Sequence, residues 1–243
     1  MKMLSKSVNR RIGQAMHKYN MLADGDRVLI AVSGGVDSLV LAWLLNSWRR
    51  KAPINYEIHA VYIDNGFDNQ MGDKVVEQLQ KIGVPYQVEK TDFRERAVAA
   101  EEGKSICYHC ARLRRNRLFA IAEQENFNKM AFGHHKDDII ETFFINLLYA
   151  GNISTMVPNQ KLFNGRLHII RPMAFLEKEE IIHIADTLAI QPVKNPCPQD
   201  EDSKRQEARK IAASLSALHP NAKSNIFAAL ANIREEYLLH YDG

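Results

Sequence analysis

Six residues, Ser33 to Ser38 with the sequence SGGVDS, combine the groups needed to bind a phosphate and its metal ion. They follow an apolar run and precede helical apolar spacing, so they lie at a predicted strand–helix junction. Gly34 and Gly35 let backbone N–H groups approach phosphate oxygens, and the helix N-terminus favours negative charge there. The hydroxyls of Ser33 and Ser38 can add donors. Because the Asp37 carboxylate would repel phosphate unless Mg²⁺ lay between them, the loop predicts a metal–triphosphate site.

Two other phosphate loops do not fit this stretch. The chain has no G-x-x-x-x-G-K-[ST] string, and SGGVDS lacks the G-x-G-x-x-G pattern of dinucleotide sites. A glycine turn that only tightens the junction is the structural alternative.

Three cysteines form the second group with chemical potential. Cys107 and Cys110 have CxxC spacing where a helix begins, which favours thiolates, and Cys197 lies between two prolines. An odd number of cysteines argues against a disulfide framework. Three thiolates suit a [4Fe–4S] cluster with one open iron, a zinc site, or a redox or persulfide pair, and buried structural cysteines are the alternative. A fourth zinc ligand could come from His109, His134 or His135.

The elements that must position these groups alternate along the chain. Strands are predicted over residues 27–32, 56–64, 86–91, 129–133 and 166–173. Helical spacing follows over residues 37–50, 69–82, 108–125, 137–149 and 178–188. This alternation predicts an α/β fold with a doubly wound parallel sheet.

Three motifs fall at the carboxyl ends of these strands, where such sheets bind ligands. They are SGGVDS, the DNGF stretch that begins at Asp64, and GHHKDD after the fourth strand. GHHKDD contains Gly133, His134, Asp137 and Asp138. Its two acids could simply complement a helix dipole, but the convergence of three loops predicts one common site.

The bulk composition indicates an ordinary globular protein. The 243 residues are 46% hydrophobic and 25% charged, with a net charge of +3. No apolar run approaches the ~20 residues of a membrane span, and the first twenty residues lack a secretory h-region, so we expect a cytoplasmic protein without membrane contact. A cluster that could follow a nucleic-acid backbone contains Arg112, Arg114 and Arg115.

We expect three segments. Residues 1–22 form a basic helical segment, residues 23–195 the phosphate-loop domain with the CxxC, and residues 196–243 the third-cysteine loop and two helices separated at Pro220.

SGGVDS resembles the pyrophosphate loop of the PP-loop ATP pyrophosphatases, a Rossmann-like fold class whose members cleave ATP between the α and β phosphates and transfer AMP. Four motifs in this order are together similar to those of the tRNA 2-thiocytidine synthetase family. They are CxxC before RLRR, GHHKDDIIETFFINLLYAG, RPM, and a cysteine eight residues before RQ. The similarity runs from about Val28 to Arg209. That family often has a second cysteine at the third site, whereas Cys197 stands alone, in register with the second of that pair.

The resemblance implies ATP, Mg²⁺ and a [4Fe–4S] cluster as cofactors, with zinc as the alternative to the cluster. The nucleotide and Mg²⁺ residues would be Ser33, Gly34, Gly35, Asp37, Ser38, Asp64, Gly133, His134, Asp137 and Asp138, with Asp37 holding Mg²⁺. Cys107, Cys110 and Cys197 would hold the cluster and, with Asp37, be catalytic. Arg112, Arg114 and Arg115 would contact tRNA.

The implied reaction is adenylation of a pyrimidine C2 oxygen in tRNA, at cytidine 32, followed by its replacement with sulfur. The implied partners are tRNA, a sulfur donor such as a cysteine desulfurase or free sulfide, and a second copy in a homodimer. The alternatives are a uridine thiolase, a lysidine synthetase, a cluster-dependent desulfurase, or a non-catalytic protein that binds ATP and zinc.

Overall fold

The apolar runs of the sequence form strands of one sheet in a computed structural model, which describes residues 4–66, 69–100, 105–193 and 203–239. The strands are β1 (Arg27–Val32), β2 (Glu57–Asp64), β3 (Tyr86–Lys90), β4 (Lys129–Ala131), β5 (Asn159–Leu162) and β6 (Leu167–Ile170). Their order in the sheet is β3-β2-β1-β4-β6-β5. Neighbouring strands are parallel except β5, which pairs antiparallel with β6.

Helices connect and follow these strands. They are α1 (Lys6–Lys18), α2 (Val36–Arg49), α3 (Asn69–Ile82), α4 (Phe93–Val98), α5 (Ile106–Gln124), α6 (Lys136–Ala150), α7 (Lys178–Leu188), α8 (Ser203–Leu218) and α9 (Ala222–Ala229). Short 3₁₀ turns lie at Phe163–Gly165 and Glu235–Tyr237. No described helix is long and apolar enough to cross a bilayer.

The described residues divide into two compact units. One lies within Met1–His135 and Val157–Asp200 and contains the sheet, and the other lies within Lys136–Met156 and Glu201–Gly243. In the second unit, Ile140 and Phe144 of α6 pack with Ala208 of α8. The buried carboxylate of Glu141 in that unit pairs with Arg209, whose Nε lies 2.8 Å from Glu141 Oε1.

Side-chain alternation along β1 separates the two cores of the first unit. Val28, Ile30 and Val32 are buried in one cluster with apolar residues of α1, α2, α3 and α7. Leu29 and Ala31 point to the opposite face and pack with residues of α4 and α5. Successive strand residues face opposite sides, so a strand buried on both faces reads as a continuous apolar run.

The predicted α/β doubly wound sheet with a helical tail is confirmed. Its strand order reverses between β1 and β4, which makes the carboxyl ends of these two strands the topological switch point. Two elements were not predicted, the antiparallel edge strand β5 and the helix α4. β5 has the partly exposed sequence NQKL and pairs with β6 alone, so it carries none of the apolar periodicity that marks the inner strands.

Candidate nucleotide and cysteine site

The SGGVDS loop connects β1 to α2 and is braced by its own hydroxyls. Ser38 Oγ donates to the Gly35 carbonyl at 2.9 Å and accepts from the Ser33 backbone N–H at 3.1 Å. Gly34 has a φ of +85°, and a Cβ there would lie 2.8 Å from Val75 Cγ2, so only glycine fits. Gly35 occupies the N-cap of α2 and has no side chain to cap the helix. The first N–H groups of α2 can therefore bind an anion.

Gly133 brings the loop after β4 against the start of α2. A Cβ on Gly133 would lie 2.8 Å from the carbonyl carbon of Asp37 and 3.0 Å from the backbone nitrogen of Ser38. The contribution of Gly133 to the site is thus the close approach of two backbone segments. The structure brings SGGVDS and the first part of GHHKDD together at the switch point, as the sequence predicted from their strand ends.

The carboxylate of Asp37 is paired with a lysine that sequence reasoning missed. Lys178 Nζ lies 2.6 Å from Asp37 Oδ1 and 2.7 Å from Oδ2. His135 Nε2 lies 3.8 Å from Oδ1 of the same carboxylate. Lys178 is the first residue of α7, which follows the last parallel strand. A basic residue opening a helix after a strand of this sheet is the signal that could have found it.

His134 is oriented by an arginine that was also missed. Arg171 Nε lies 3.3 Å from His134 Nδ1, and its Nη1 donates to the Val157 carbonyl at 2.5 Å. The His134 ring stacks on Phe132 with 5.6 Å between ring centroids. Arg171 is buried and directly follows β6, so it enters the switch-point region from the neighbouring strand.

Asp64 ends β2 and faces the connection to α3. Its Oδ1 accepts from the Gly66 backbone N–H at 3.0 Å, and a Cβ on Gly72 would lie 3.0 Å from its Oδ2. Burial raises the pKa of Tyr62 to about 12, and the charge of Asp64 contributes to this shift. The predicted contact of Asp64 with the nucleotide stays a prediction.

Asp137 and Asp138 lie in the first turn of α6 and belong to the second unit. Lys223 Nζ of α9 lies 2.6 Å from Asp137 Oδ1. Both aspartates contribute, after Glu141, to a raised pKa of the Arg209 guanidinium. The predicted role of the two aspartates at the nucleotide stays a prediction.

Cys107 and Cys110 are the second and fifth residues of α5. Ser105 caps this helix by accepting a hydrogen bond from the Tyr108 backbone N–H at 3.3 Å. Cys110 is buried in the core between the sheet, α4 and α5, with its Sγ 3.8 Å from the Phe93 carbonyl oxygen, whereas Cys107 is partly exposed. The positive end of a helix stabilises thiolates at these positions.

The third predicted thiolate, Cys197, lies outside the described residues. Within the described ranges, no group of three or more His, Cys, Asp and Glu side chains could hold a metal ion. Cys107 and Cys110 fit two positions of a cluster site, because they share one turn at a helix N-terminus.

The three predicted tRNA-contacting arginines separate into two groups. Arg112 and Arg115 are exposed on α5. Arg114 turns inward, and its Nη2 donates a 2.9 Å hydrogen bond to the carbonyl of Val32, the last residue of β1. Burial lowers the pKa of the Arg114 guanidinium, and the charges of Tyr62 and Cys110 oppose that shift. The side chain of Arg114 thus connects the cysteine helix to the strand that leads into the phosphate loop.

The family model of the PP-loop domain matches residues 4–214 of the chain. The tRNA-cytidine(32) 2-sulfurtransferase of Geotalea daltonii is 36% identical over 241 residues, which cover 97% of this chain and 95% of that protein. The protein of the same name from Syntrophotalea carbinolica is 34% identical over 241 residues, which cover 97% of this chain and 92% of that protein.

Two solved structures share the fold. The U34-tRNA thiolase NcsA from Methanococcus maripaludis, solved with its [4Fe–4S] cluster, superposes with a TM-score of 0.76 at 23% identity. The superposition covers 96% of this chain and 80% of that chain. The NH3-dependent NAD synthetase of Campylobacter jejuni gives a TM-score of 0.53 at 16% identity, covering 96% and 93% of the two chains.

The sheet order, the loop after β1 and the matched domain define a PP-loop ATP-binding protein. Given the similarity along nearly its whole length, the chain belongs to the tRNA 2-thiocytidine synthetase family and is an enzyme of the PP-loop tRNA sulfurtransferase type. The family resemblance of the sequence motifs is thereby confirmed.

Proposed function

We propose that this enzyme thiolates cytidine 32 of tRNA, first by adenylating the C2 oxygen with ATP and then by replacing that oxygen with sulfur. The observation that carries the proposal is the hydrogen bond from Arg114, on the helix that holds Cys107 and Cys110, to the carbonyl of Val32, the last residue before the phosphate loop. Because the side chain of Arg114 connects the phosphate loop to the cysteine helix, the two sites can act in succession on one base. The similarity to tRNA-cytidine(32) 2-sulfurtransferases supports cytidine 32 as the target.

In the first step, O2 of cytidine attacks the α-phosphorus of ATP, the bond from that phosphorus to the bridging oxygen breaks, and pyrophosphate leaves. The N–H groups of the loop and of the first turn of α2 stabilise the charge on the leaving phosphates. Asp37 is the residue that would hold Mg²⁺, which when bound would supply positive charge that stabilises the leaving phosphates. Adenylation converts a poor leaving group into AMP.

In the second step, hydrosulfide attacks C2, the C2–O bond breaks, AMP leaves with the former carbonyl oxygen, and the sulfur proton passes to solvent. Cys107, Cys110 and Cys197 would hold a [4Fe–4S] cluster, which when bound supplies an iron open to an exogenous sulfur ligand. The N-terminus of α5, where Cys107 and Cys110 lie, favours thiolates. The charge of Cys110 opposes the lowering of the Arg114 pKa by burial.

The tRNA must present its base unstacked, as the single-stranded residues of a loop do. Arg112 and Arg115 are exposed and can contact phosphates beside the cysteine helix. The sulfur donor is a cysteine desulfurase or free sulfide, and the enzyme acts as a homodimer. Light scattering of the purified protein tests the dimer.

The test uses enzyme purified under anaerobic conditions, transcribed tRNA, ATP, Mg²⁺ and sulfide. Mass spectrometry of the digested tRNA should find 2-thiocytidine, and sequencing of its fragments should locate it at position 32. Asp37→Ala and Cys107→Ala should abolish the product, whereas Lys81→Met, which removes an exposed ion pair with Glu77, should retain it. Normal 2-thiocytidine from Asp37→Ala or Cys107→Ala would overturn the proposal.

The same assay separates the alternatives. Thiouridine would identify a uridine thiolase, and lysidine formed without the cysteines when lysine replaces sulfide would identify a lysidine synthetase. Loss of sulfur from thiolated tRNA would identify a desulfurase. Stoichiometric zinc, with no tRNA-dependent release of pyrophosphate, would support a non-catalytic protein. About four iron and four sulfide per chain would support the cluster.

A further inference from the structure

We propose that Lys178 blocks Asp37 against divalent cations until ATP arrives, so that the loop binds its metal only together with the nucleotide. The inference rests on the proposed function, because it requires the loop to bind ATP with a divalent cation. It assigns to Lys178 the role of a positioning residue.

The geometry of the pair carries the first step of the argument. Lys178 Nζ lies 2.6 and 2.7 Å from the two carboxylate oxygens of Asp37, so a single ammonium contacts both. A magnesium ion needs a carboxylate oxygen at about 2.1 Å and near-octahedral geometry around it. A cation placed on Asp37 would then lie next to the ammonium of Lys178, and the two positive charges would repel each other. Metal binding to Asp37 therefore requires Lys178 to move away.

The surroundings of the pair decide when that movement is favourable. The positive end of α2 and the His135 imidazole already face this carboxylate, and the side chains of Lys178 and Asp37 are only 34% and 31% exposed. A free divalent cation would have to displace Lys178 from both carboxylate oxygens, and it brings no negative group of its own. The triphosphate of ATP brings negative oxygens to the same loop, so Lys178 can move to a phosphate and release Asp37 to the metal. The lysine side chain has the flexible stem that this exchange requires.

The exchange couples the two ligands in both directions. If ATP raises the affinity of the loop for the metal, the metal raises the affinity for ATP by the same factor. Coupling of this kind is expected to be about 5-fold to 150-fold. Removing the ammonium of Lys178 should reduce the coupling and allow Asp37 to bind the metal alone.

The test measures Mn²⁺ binding to the nucleotide-free full-length protein by the electron paramagnetic resonance signal of free Mn²⁺. Titrations are run with and without α,β-methylene-ATP, which resists cleavage between the α and β phosphates. The analogue itself binds Mn²⁺, so a protein-free titration is subtracted; in the wild type, the analogue should then strengthen Mn²⁺ binding to the protein by about 5-fold to 150-fold. The Lys178→Met variant should bind Mn²⁺ without the analogue. The double variant, Lys178→Met with Asp37→Asn, should lack this Mn²⁺ site. Lys178→Arg should restore dependence on the analogue.

Lys81→Met is the matched control, because Lys81 Nζ also lies 2.7 Å from a carboxylate oxygen, that of Glu77, on the exposed face of α3. It should behave as the wild type. Equal Mn²⁺ affinity of the wild type with and without the analogue would overturn the proposal even if Lys178→Met fails to fold. Absence of the nucleotide-free Mn²⁺ site in folded Lys178→Met would also overturn it. If the proposed function fails and this inference holds, Mn²⁺ and the analogue will bind cooperatively but tRNA will not be thiolated.

Discussion

The guanidinium of Arg114 donates a 2.9 Å hydrogen bond to the carbonyl of Val32, which joins the cysteine helix α5 to the end of the central strand. Val32 is the last residue before the phosphate loop, and Cys110 lies one helical turn before Arg114. A change at this arginine should therefore act on both halves of the site.

Replacing Arg114 by Met should lower both the stability and the thiolation rate. The Val32 carbonyl would lose its charged donor, and removal of one partner from such a bond costs about 1 to 3 kcal/mol. Urea unfolding measures the stability, and single-turnover formation of 2-thiocytidine measures the rate. The sequence-adjacent control is Arg115→Met, which removes an exposed arginine and should change stability by less than about 0.5 kcal/mol. Equal stability of the two variants would contradict the structural role of Arg114.

Replacing both Arg112 and Arg115 by Gln should weaken tRNA binding without loss of ATP binding. Both side chains are exposed on α5, and each arginine that pairs with a phosphate adds to the salt dependence of affinity. The slope of log K against log salt should fall by about 1 for each arginine–phosphate pair that is removed. Filter binding of tRNA between low and moderate salt measures this slope. The control is Arg50→Gln, which should leave the slope unchanged because Arg50 is exposed at the end of α2 opposite the phosphate loop. An unchanged slope in the double variant would show that tRNA does not contact Arg112 and Arg115.

Replacing Gly133 by Ala should impair nucleotide binding. The new methyl group would lie within 2.8 to 3.0 Å of the Asp37 and Ser38 backbone, so the loop after β4 and the start of α2 must separate. Overpacking of this kind costs about 1 to 3 kcal/mol. Calorimetric titration with α,β-methylene-ATP and thermal unfolding measure both effects. In the control Gly13→Ala, the methyl group meets a Trp48 side-chain carbon at 3.4 Å, so nucleotide binding should persist. Undiminished nucleotide binding by Gly133→Ala would refute the contact.

Replacing His168 by Gln should flatten the dependence of stability on pH. Burial, followed by the charges of Lys129 and Lys161, lowers the pKa of His168 from 6.5, and Asp26 partly opposes the shift. Because the unfolded chain then binds a proton more readily, the wild type should lose stability as the pH falls through and below about 6.5.

Urea unfolding at pH 7.5 and pH 5.5 measures the difference between wild type and His168→Gln. Glutamine keeps a polar group facing Asn159 Oδ1, which lies 3.0 Å from His168 Nδ1. His219→Gln, which alters an exposed histidine outside the sheet, is the control and should keep the wild-type dependence. If His168→Gln lost as much stability at pH 5.5 as the wild type does, His168 would not contribute to the pH dependence.

Much of the fold was predictable because its signals are local. The helix predicted over residues 69–82 is α3 with the same bounds, and the strand predicted over residues 27–32 is β1. Apolar periodicity, the residue pattern of the loop and the CxxC spacing depend on neighbours within a few positions. They also sufficed to predict the class of sheet and the meeting of SGGVDS with Gly133. The polar edge strand β5 was missed because it lacks such a pattern.

The amino-acid sequence by itself determined the strands and helices, the phosphate loop and the two cysteines of one helical turn. Only the tertiary structure decided that Lys178 contacts Asp37, from which it is separated by 141 positions, and that Arg114 turns away from its neighbours toward Val32, 82 positions earlier. The physical reason is that propensity and periodicity act along the chain, whereas these charged contacts depend on which strands become neighbours in the sheet. That strand order brings the ends of distant segments to one edge, where a lysine, a carboxylate and an arginine acquire their partners.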